Sequence, residues 1–344
     1  MEILITGGNG LLGRHLVPAL HARGDSVRVL ALPGEDTTWL EQRHVAIYRG
    51  DVRQPATLVA PMRGVDRVFH LAALLGVWRP PQVYYAVNVA GTENVCRAAL
   101  AAGVRRLVHV SSAMGYTLRM GQPVHEDCPL VPLQEPYTVT KAEGDKLVQR
   151  MIARDRLPAV IIRPGTIFGP GDRLNVGRIA DRLRAGKGLI IGSGRNTVPF
   201  VYVTDVVQGL LLAADHERAV GQAYNIGHDH PLTQEDLLRA IAQEIGVAPP
   251  RLHVPYHALY AAAYAAEHLA ALRRYRRNAL VTRHGVSLYG ADRRLVIDKA
   301  RRELGYTPRV PLREGVRLTA AWYRQYCMAA TRPAPQAVPE HVRG

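Results

Sequence analysis

A glycine-rich turn near the start constrains this chain more than any other feature of its sequence. The turn runs from Thr6 to Gly13 with the sequence Thr-Gly-Gly-Asn-Gly-Leu-Leu-Gly, directly after the apolar run Ile3-Leu4-Ile5. A helical pattern of apolar residues follows, so the context is strand, turn and helix. Gly7 permits a tight turn, Gly10 leaves room for a pyrophosphate, and Gly13 allows the helix to pack closely on a sheet. Because unpaired N–H groups at a helix N-terminus suit phosphates, the turn predicts a dinucleotide site.

Apolar strands and helical patterns alternate through the first half of the chain. We predict strands at residues 27–32, 44–48, 67–71, 107–112 and 159–163, and helices at residues 82–102 and 137–153. Near-continuous apolar strands separated by helices indicate a parallel sheet covered on both faces, and right-handed crossovers make it doubly wound. The predicted fold class is therefore α/β, a doubly wound parallel Rossmann sheet with a smaller interleaved C-terminal substrate domain.

The regular alternation weakens after residue 168, which predicts an interleaved division of the chain. We expect a strand at residues 200–203, a helix near residues 205–214, a further strand of the main sheet at residues 224–226, and a helix from Thr233 to about Ile245. The predicted nucleotide-binding domain covers residues 1–168 and 198–228. Residues 169–197 and 229–330 form the predicted substrate domain, and residues 331–344 form a flexible tail.

Length and composition set wide bounds on what the chain does. Its 344 residues allow two domains, and no segment reaches the roughly 18 consecutive apolar residues of a membrane span. Met1 leads straight into a strand, so no signal peptide is expected and the predicted location is cytoplasmic. The cysteines Cys96, Cys128 and Cys327 lie far apart in sequence, which fits neither a local zinc motif nor a disulfide framework. We therefore expect no metal site.

The positive charge is concentrated at the C-terminal end. The formal net charge is +15, and residues 251–344 carry 17 Lys and Arg against 6 Asp and Glu. We interpret this excess as an arginine-rich solvated surface and expect no nucleic-acid partner. Residues 255–278 form an apolar helical stretch that ends at Arg273, Arg274, Arg276 and Arg277. The simpler interpretation is a helix packed on the small domain, and the alternative is a lid whose basic end makes weak contact with an anionic membrane surface.

Two polar positions suggest acid/base chemistry. Tyr137 and Lys141 are four residues apart on a predicted helix, which places them on one face, about 6 Å apart along the axis. At about 4 Å and an effective dielectric of about 20, a nearby ammonium is worth roughly 4 kcal/mol, which predicts a phenol pKa near 7. Ser112 ends a predicted strand at the carboxyl edge of the sheet, where a hydroxyl can bind the reacting oxygen of a substrate.

Ser112, Tyr137 and Lys141, in this order after the glycine turn, resemble the short-chain dehydrogenase/reductase superfamily. Further matching segments are Gly50-Asp51-Val52, Phe69-His70-Leu71-Ala72-Ala73, Asn88-Val89-Ala90-Gly91-Thr92 and Arg163-Pro164. They are similar to the extended branch, the NAD-dependent epimerase/dehydratase family, which includes nucleotide-sugar epimerases, dehydratases and 3β-hydroxysteroid dehydrogenases. The resemblance extends over about residues 1–324.

The resemblance implies a role for each matching residue. Tyr137 is expected to be the acid/base, Lys141 to bind the nicotinamide ribose and lower the tyrosine pKa, and Ser112 to orient the substrate. Asp51 is expected to hold the adenine amine, and Asn88 to tie a helix to an active-site loop. The full set of expected cofactor contacts comprises Gly7, Asn9, Gly10, Leu11, Leu12, Gly13, Asp51, Val52, Leu71, Ala72, Ala73, Tyr137, Lys141, Pro164 and Ile167.

Departures from the epimerase pattern bear on the substrate, a small molecule. Thr166 stands where many epimerases have Asn, and residues 198–203 lack the Arg and His that often occur there. Both segments look more like 3β-hydroxysteroid dehydrogenases. We therefore predict an oxidoreductase for a secondary alcohol or ketone that is apolar and steroid- or terpenoid-like. The alternatives are a nucleotide-sugar epimerase or dehydratase with tightly bound NAD, and a redox-silent NAD(P)-binding regulator.

The cofactor and the oligomeric state complete the expectations. The position that carries an acidic residue in many NAD enzymes is Ala31, and Leu32 stands where NADP enzymes place a cation. Glu35 and Asp36 follow closely enough to reach the ribose, so NAD is favoured over NADP. The resemblance also implies a homodimer that pairs through the helices at residues 82–102 and 137–153.

Overall fold

A computed structural model describes residues 1–76, 79–116, 121–272 and 281–328 of the chain. Its strands are β1 (Glu2–Thr6), β2 (Ser26–Ala31), β3 (Ala46–Arg49), β4 (Arg67–His70), β5 (Arg106–Val110), β6 (Pro123–Val124), β7 (Ala159–Pro164), β8 (Thr166–Phe168), β9 (Ile190–Ile191), β10 (Phe200–Tyr202), β11 (Ala223–Ile226), β12 (His253–Val254) and β13 (Arg294–Leu295). Seven of these strands form one parallel sheet in the order β3-β2-β1-β4-β5-β7-β11. The predicted Rossmann sheet is therefore confirmed.

Helices connect the strands of this sheet and build the remainder of the described chain. They are α1 (Leu11–His21), α2 (Thr38–Glu41), α3 (Ala56–Met62), α4 (Pro81–Tyr85), α5 (Gly91–Ala101), α6 (Pro136–Asp155), α7 (Val176–Arg184), α8 (Val203–Asp215), α9 (Gln234–Ile245), α10 (Tyr256–Leu272), α11 (Arg283–Gly290), α12 (Asp298–Leu304) and α13 (Leu312–Tyr323). A π-helical segment at Ala86–Ala90 joins α4 to α5, so the helix predicted at residues 82–102 contains a π segment that apolar spacing does not reveal.

The apolar side chains of the sheet are covered on both faces. On one face, Leu16 and Leu20 of α1 belong to the same cluster as Val206 and Leu210 of α8. On the other face, α5 and α6 pack their apolar residues against the alternate side chains of the strands. Because both faces are buried, the strands read as continuous apolar runs, which is the pattern from which a parallel sheet was predicted.

Strand order brings the functional residues to one edge. The chain moves from β1 outward to β2 and β3, and then returns to place β4 on the other side of β1. In sheets of this kind ligands bind outside the carboxyl ends of the strands, at this reversal of direction. The glycine turn follows β1, Leu71-Ala72-Ala73 follow β4, and Ser111-Ser112 follow β5.

Several predicted boundaries shift by one or two residues in the structure. The third strand begins at Ala46 rather than residue 44, because His44 has a φ of 55° and belongs to a turn. The strand predicted at residues 107–112 is β5 and ends at Val110, and the strand predicted at residues 159–163 is β7 and extends through Pro164.

Three two-stranded parallel sheets, β8 with β10, β9 with β12 and β6 with β13, join segments far apart in sequence. The two-domain division stays a prediction.

The apolar helix α10 ends at Leu272. Arg273, Arg274, Arg276 and Arg277 lie outside the described residues, so the membrane-contact hypothesis stays a prediction. Within the described ranges, no helix combines the length and the apolar character needed to cross a bilayer.

Candidate active site

The glycine turn is held in its shape by close packing. Gly7 has a φ of 72°, and a Cβ atom there would lie 2.7 Å from the backbone N of Ala72. A Cβ atom on Gly13 would lie 2.1 Å from the carbonyl oxygen of Gly8. Any side chain at these positions would push the turn away from β4 or from α1. Both glycines are therefore required by the packing between sheet, turn and helix.

The N-terminus of α1 is free to receive an anion. Gly10 is its N-cap and has no side chain to accept from the first amides, and the first turn carries no acidic residue. These N–H groups and the positive end of the helix dipole face the carboxyl edge of the sheet. The arrangement suits a pyrophosphate, which is the group the sequence predicts here.

Ser112, Tyr137 and Lys141 converge beside this edge. Ser112 begins the 3₁₀ turn after β5, and Tyr137 and Lys141 lie on α6, which packs next to that turn. The Ser112 hydroxyl, which accepts from the Met114 backbone N at 3.2 Å, lies close enough to Tyr137 to lower the pKa of its phenol. The Lys141 Nζ atom is buried and donates to the carbonyl oxygen of Val110 at 2.6 Å. The structure thus brings the three candidate catalytic residues together.

The pKa of Tyr137 differs from the sequence-based expectation. Burial raises it to about 12 against the opposing effect of Ser112, and the Glu135 carboxylate adds to the rise. Burial also lowers the pKa of Lys141 to about 8, although Asp145 acts in the opposite direction. The prediction of a phenol pKa near 7 is therefore wrong for this structure, because the cost of burying a phenolate dominates. At neutral pH the Tyr137 hydroxyl is protonated and can donate to a substrate oxygen.

One cavity of about 1080 Å³ connects these features. Its volume lies just above the roughly 300–1,000 Å³ range of ligand sites, which leaves space for a cofactor and a substrate together. The predicted site residues that line it are Gly7, Gly10, Leu11, Leu12, Asp51, Val52, Leu71, Ala72, Ala73, Ser112, Tyr137, Lys141, Pro164 and Ile167. The residues present therefore fit a bound dinucleotide, with the glycine turn at one part of the cavity and Tyr137 at another.

Two predicted contact residues, Asn9 and Gly13, do not line the cavity. The Asn9 side-chain amide donates to Glu35 Oε1 at 3.0 Å and to the Asp36 carbonyl oxygen at 2.7 Å, so it braces the loop after β2. Gly13 lies beneath the turn, against Gly8. Both residues shape the site from behind its surface.

Glu35 is the one of the two acidic residues after β2 that lines the cavity. Its Oε2 atom accepts from the Leu32 backbone N at 3.0 Å. Asp36 is not a lining residue, and its carboxylate accepts from the amide and hydroxyl of Thr38. Arg49 reaches the same loop, which the sequence did not indicate, and donates to the Glu35 carbonyl oxygen at 2.8 Å. Of the two sequence candidates, only Glu35 has a suitable position.

Asn88 has the position that its expected structural role requires. Its Oδ1 atom accepts from the Leu74 backbone N at 2.7 Å, and its Nδ2 atom donates to Thr140 Oγ1 at 3.0 Å. This buried amide joins the loop after β4 to α6. It therefore connects one wall of the cavity with the helix that carries Tyr137 and Lys141.

Sequence reasoning missed a buried ionic network beneath Lys141. Arg163 on β7 makes two hydrogen bonds of 2.8 Å with Asp145 on α6, and it donates to the hydroxyl of Tyr116 at 2.8 Å. Burial raises the pKa of Asp145, but Arg163 outweighs it and leaves that pKa lowered. Arg163 was noted only as part of an Arg-Pro motif, and the spacing of Asp145 four residues after Lys141 was the available signal.

The comparisons with known proteins agree with this geometry. A family model described as NAD dependent epimerase/dehydratase family matches residues 3–227. The chain is 33% identical over 328 residues to the 2-alkyl-3-oxoalkanoate reductase of Stenotrophomonas maltophilia (strain K279a), which covers 92% of this chain and 98% of that protein. It is 34% identical over 347 residues to 3beta-hydroxysteroid-dehydrogenase/decarboxylase isoform 1 of Arabidopsis thaliana, and the match covers 92% of this chain and 78% of that protein. Among solved structures, the dTDP-glucose 4,6-dehydratase DesIV from Streptomyces venezuelae with NAD bound has a TM-score of 0.78 at 27% identity. The match covers 96% of this chain and 99% of that protein.

Proposed function

The chain belongs to the NAD-dependent epimerase/dehydratase family, and from this premise we propose that it interconverts a secondary alcohol and a ketone with NAD(P). The observation that carries the proposal is the convergence of Ser112, Tyr137 and Lys141 in the cavity that begins at the glycine turn. A bound nicotinamide cofactor supplies or accepts the hydride. The amides of the turn and of α1 hold its pyrophosphate.

Tyr137 moves the proton in this proposal. Its hydroxyl donates a proton to the carbonyl oxygen during reduction, and the phenolate form receives the alcohol proton during oxidation. Ser112 binds the same substrate oxygen and fixes its position. Lys141 lies one helical turn from Tyr137, where its ammonium can contact the ribose of the cofactor. The protonated state of Tyr137 at neutral pH favours its use as an acid toward a ketone.

Aliphatic lining residues favour an apolar substrate. They come from α7, α9, α10, α11 and the loops beside them, and they are Ile179, Leu183, Leu189, Leu237, Leu238, Leu259, Val281, Val286 and Leu288. The names of the reductase and the hydroxysteroid dehydrogenase among the relatives are consistent with such a substrate. A nucleotide sugar is the second candidate, because Arg173, Arg178 and Arg182 also line the cavity and could contact phosphates.

The two candidates differ in whether the cofactor turns over. We expect the purified protein to change the nicotinamide absorbance when it is mixed with NAD(H) or NADP(H) and apolar ketones or alcohols, including hydroxysteroids. A nucleotide-sugar epimerase or dehydratase would instead convert UDP- or dTDP-sugars without net change in that absorbance. Conversion of a sugar panel with no activity on the apolar panel would reverse our order of preference.

The position of Glu35 predicts a preference for NAD. The Glu35→Ala variant should raise the KM for NADH by about tenfold or more, because a charged hydrogen bond to the ribose is lost. Its effect on the KM for NADPH should be smaller, because the carboxylate repels a 2′-phosphate. Initial rates with both cofactors measure this ratio. The matched control is Asp36→Ala, whose side chain does not line the cavity and should leave the ratio unchanged. A wild type that prefers NADPH would contradict the assignment.

We also propose that the chain forms a homodimer that pairs through α4–α5 and α6, the helices predicted at residues 82–102 and 137–153. Tyr85 at the end of α4 is 53% exposed, which leaves a large apolar side chain for an interface. Ala142, by contrast, is buried in its own subunit. We expect light scattering at micromolar concentration to give a dimer mass, and the Tyr85→Glu variant to shift it toward the monomer. A monomer mass for wild type would count against the proposal.

A further inference from the structure

A histidine from the C-terminal part of the chain reaches the catalytic tyrosine. His284 lies on α11, and its ring packs edge-on against the ring of Tyr137 with 5.5 Å between the centroids. Its Nδ1 atom lies 3.5 Å from Glu135 Oε2. The side chain is partly buried and lines the large cavity. Nothing in the catalytic scheme above uses this imidazole.

Glu135 gives this histidine a fixed negative partner. Glu135 is the N-cap of α6, and its two carboxylate oxygens accept from the backbone N atoms of Tyr137 at 3.2 Å and Thr138 at 3.0 Å. Burial tends to raise the pKa of Glu135, but the neighbouring His284 and the two backbone amides leave that pKa lowered. Glu135 is therefore an ionised carboxylate directly beside the reaction site.

The two nitrogens of the imidazole face different surroundings. Nδ1 is buried 3.5 Å from Glu135 Oε2 and makes no hydrogen bond with any residue that the structure describes. Nε2 has no hydrogen-bond partner among the residues that the structure describes, and it is not one of the buried polar atoms. Since His284 lines the cavity, Nε2 is the polar atom that it offers to a ligand. In an imidazolium both nitrogens carry a proton, so Nδ1–H lies beside the Glu135 carboxylate and Nε2–H is available to a second anion.

We propose that His284, held by Glu135, binds a carboxylate that the substrate carries close to its reacting carbon. The proposal rests on the function above and narrows its substrate class to apolar 3-hydroxy or 3-oxo acids. In such an acid one carbon separates the carboxylate from the reacting carbon. His284 is placed to reach such a group, because its ring packs against the ring of Tyr137, whose hydroxyl binds the reacting oxygen in the proposed mechanism.

The same geometry explains why a neutral substrate would bind differently. Without a cation between them, Glu135 and an anionic substrate would repel each other across a partly desolvated site. Loss of the imidazole should therefore weaken binding of the acid for two reasons: a hydrogen-bond donor is removed, and the substrate carboxylate is exposed to the negative charge of Glu135. A neutral ester of the same acid experiences neither change. His284 thus acts on substrate choice, and Tyr137 and Ser112 still contact the reacting oxygen.

The test compares one acid with its ester. Wild type, His284→Gln and the control His268→Gln are assayed for oxidation of 3-hydroxydecanoate and methyl 3-hydroxydecanoate with both nicotinamide cofactors. His268 is an exposed residue of α10 whose Nδ1 atom lies 2.9 Å from the Tyr264 carbonyl oxygen. In His284→Gln we expect KM for the acid to rise about 10- to 100-fold, with less than a threefold change in its kcat. KM for the ester should change by less than threefold, and His268→Gln should match wild type.

A second variant supports the interpretation. Glu135→Gln keeps an acceptor at the helix N-cap but removes the charge that holds the imidazolium, so it should weaken binding of the acid more than binding of the ester. Circular dichroism melts establish that the variants fold.

Each contrary result has a separate meaning. If wild type oxidises the ester as well as the acid, or if His284→Gln keeps the preference for the acid, the role of His284 is wrong while the oxidoreductase function stands. If His284→Gln instead raises KM for the cofactor alone, the imidazole serves the nicotinamide and the proposal is overturned. If wild type oxidises neither compound but turns over another ketone or alcohol, the substrate class is wrong. Absence of turnover on the whole panel refutes the proposed function itself.

Discussion

Replacing Tyr137 with Phe is expected to lower turnover by about 10²- to 10⁴-fold while cofactor binding stays within a factor of about two. The substitution removes only the Tyr137 hydroxyl, which donates the proton in the proposed mechanism. The ring remains to pack against His284, so the shape of the cavity is preserved. The measurement is kcat on any substrate found with the panel, together with calorimetric titration of the cofactor.

Tyr85→Phe is the matched control for this variant. Tyr85 is 53% exposed and does not line the cavity, so losing its hydroxyl should leave kcat unchanged. Ser112→Ala should give an intermediate loss, because it removes one of two groups on the substrate oxygen and leaves the acid in place. Full turnover by Tyr137→Phe would eliminate Tyr137 as the acid/base and with it the proposed mechanism.

Much of the fold and the family could be predicted from local patterns. The glycine turn, the apolar strands and the order of Ser112, Tyr137 and Lys141 predicted a parallel Rossmann sheet and membership in the extended short-chain dehydrogenase/reductases, and both are confirmed. Such features are local because a strand, a tight turn and a helix are each determined by neighbouring residues. In a parallel sheet the carboxyl ends of β1, β4 and β5 lie at one edge, so their shared position follows directly from the predicted strands.

Features that depend on tertiary burial could not be predicted in this way. The pKa of Tyr137 was expected to fall because Lys141 is near in sequence, but burial of the phenol raises it, and burial is a property of the whole fold. His284 is separated from Tyr137 by a long stretch of chain, so no spacing rule connects them. The direction of the Asn9 side chain, toward Glu35 and away from the cavity, likewise follows from the loop after β2.

The ion pair between Asp145 and Arg163 is the buried interaction whose loss should cost the protein most. Both side chains are almost fully buried, with relative exposures of 0% and 3%. The pair joins α6 to β7, and Arg163 also donates to the Glu126 carbonyl oxygen at 2.8 Å. Tyr116, which accepts from Arg163, donates to Asn225 Oδ1 at 2.7 Å and so extends the network to β11. The network therefore fixes the helix of Lys141 on the sheet.

The Asp145→Asn variant should lower the free energy of unfolding by about 3–5 kcal/mol, because it leaves the Arg163 guanidinium buried without a counter-charge. Asn has nearly the same shape as Asp, so the loss reports the charge and not a cavity. Urea denaturation followed by circular dichroism at pH 7 measures it. The double variant Asp145→Leu with Arg163→Met should be less destabilised than Asp145→Asn, because it removes both charges from the core.

An exposed ion pair on α5 supplies the control. Glu93 and Arg97 have side-chain exposures of 37% and 69%, so Glu93→Gln should cost at most about 1 kcal/mol.

The pKa of Asp145 is lowered in the folded protein, so its stabilising contribution is present above the ordinary aspartate pKa of about 3.9 and is lost as the pH falls through the lower folded value. The difference in stability between wild type and Asp145→Asn should therefore shrink in acid. A difference below about 1 kcal/mol at pH 7, or one that grows as the pH falls, would show that the pair does not hold α6 on the sheet through its charge.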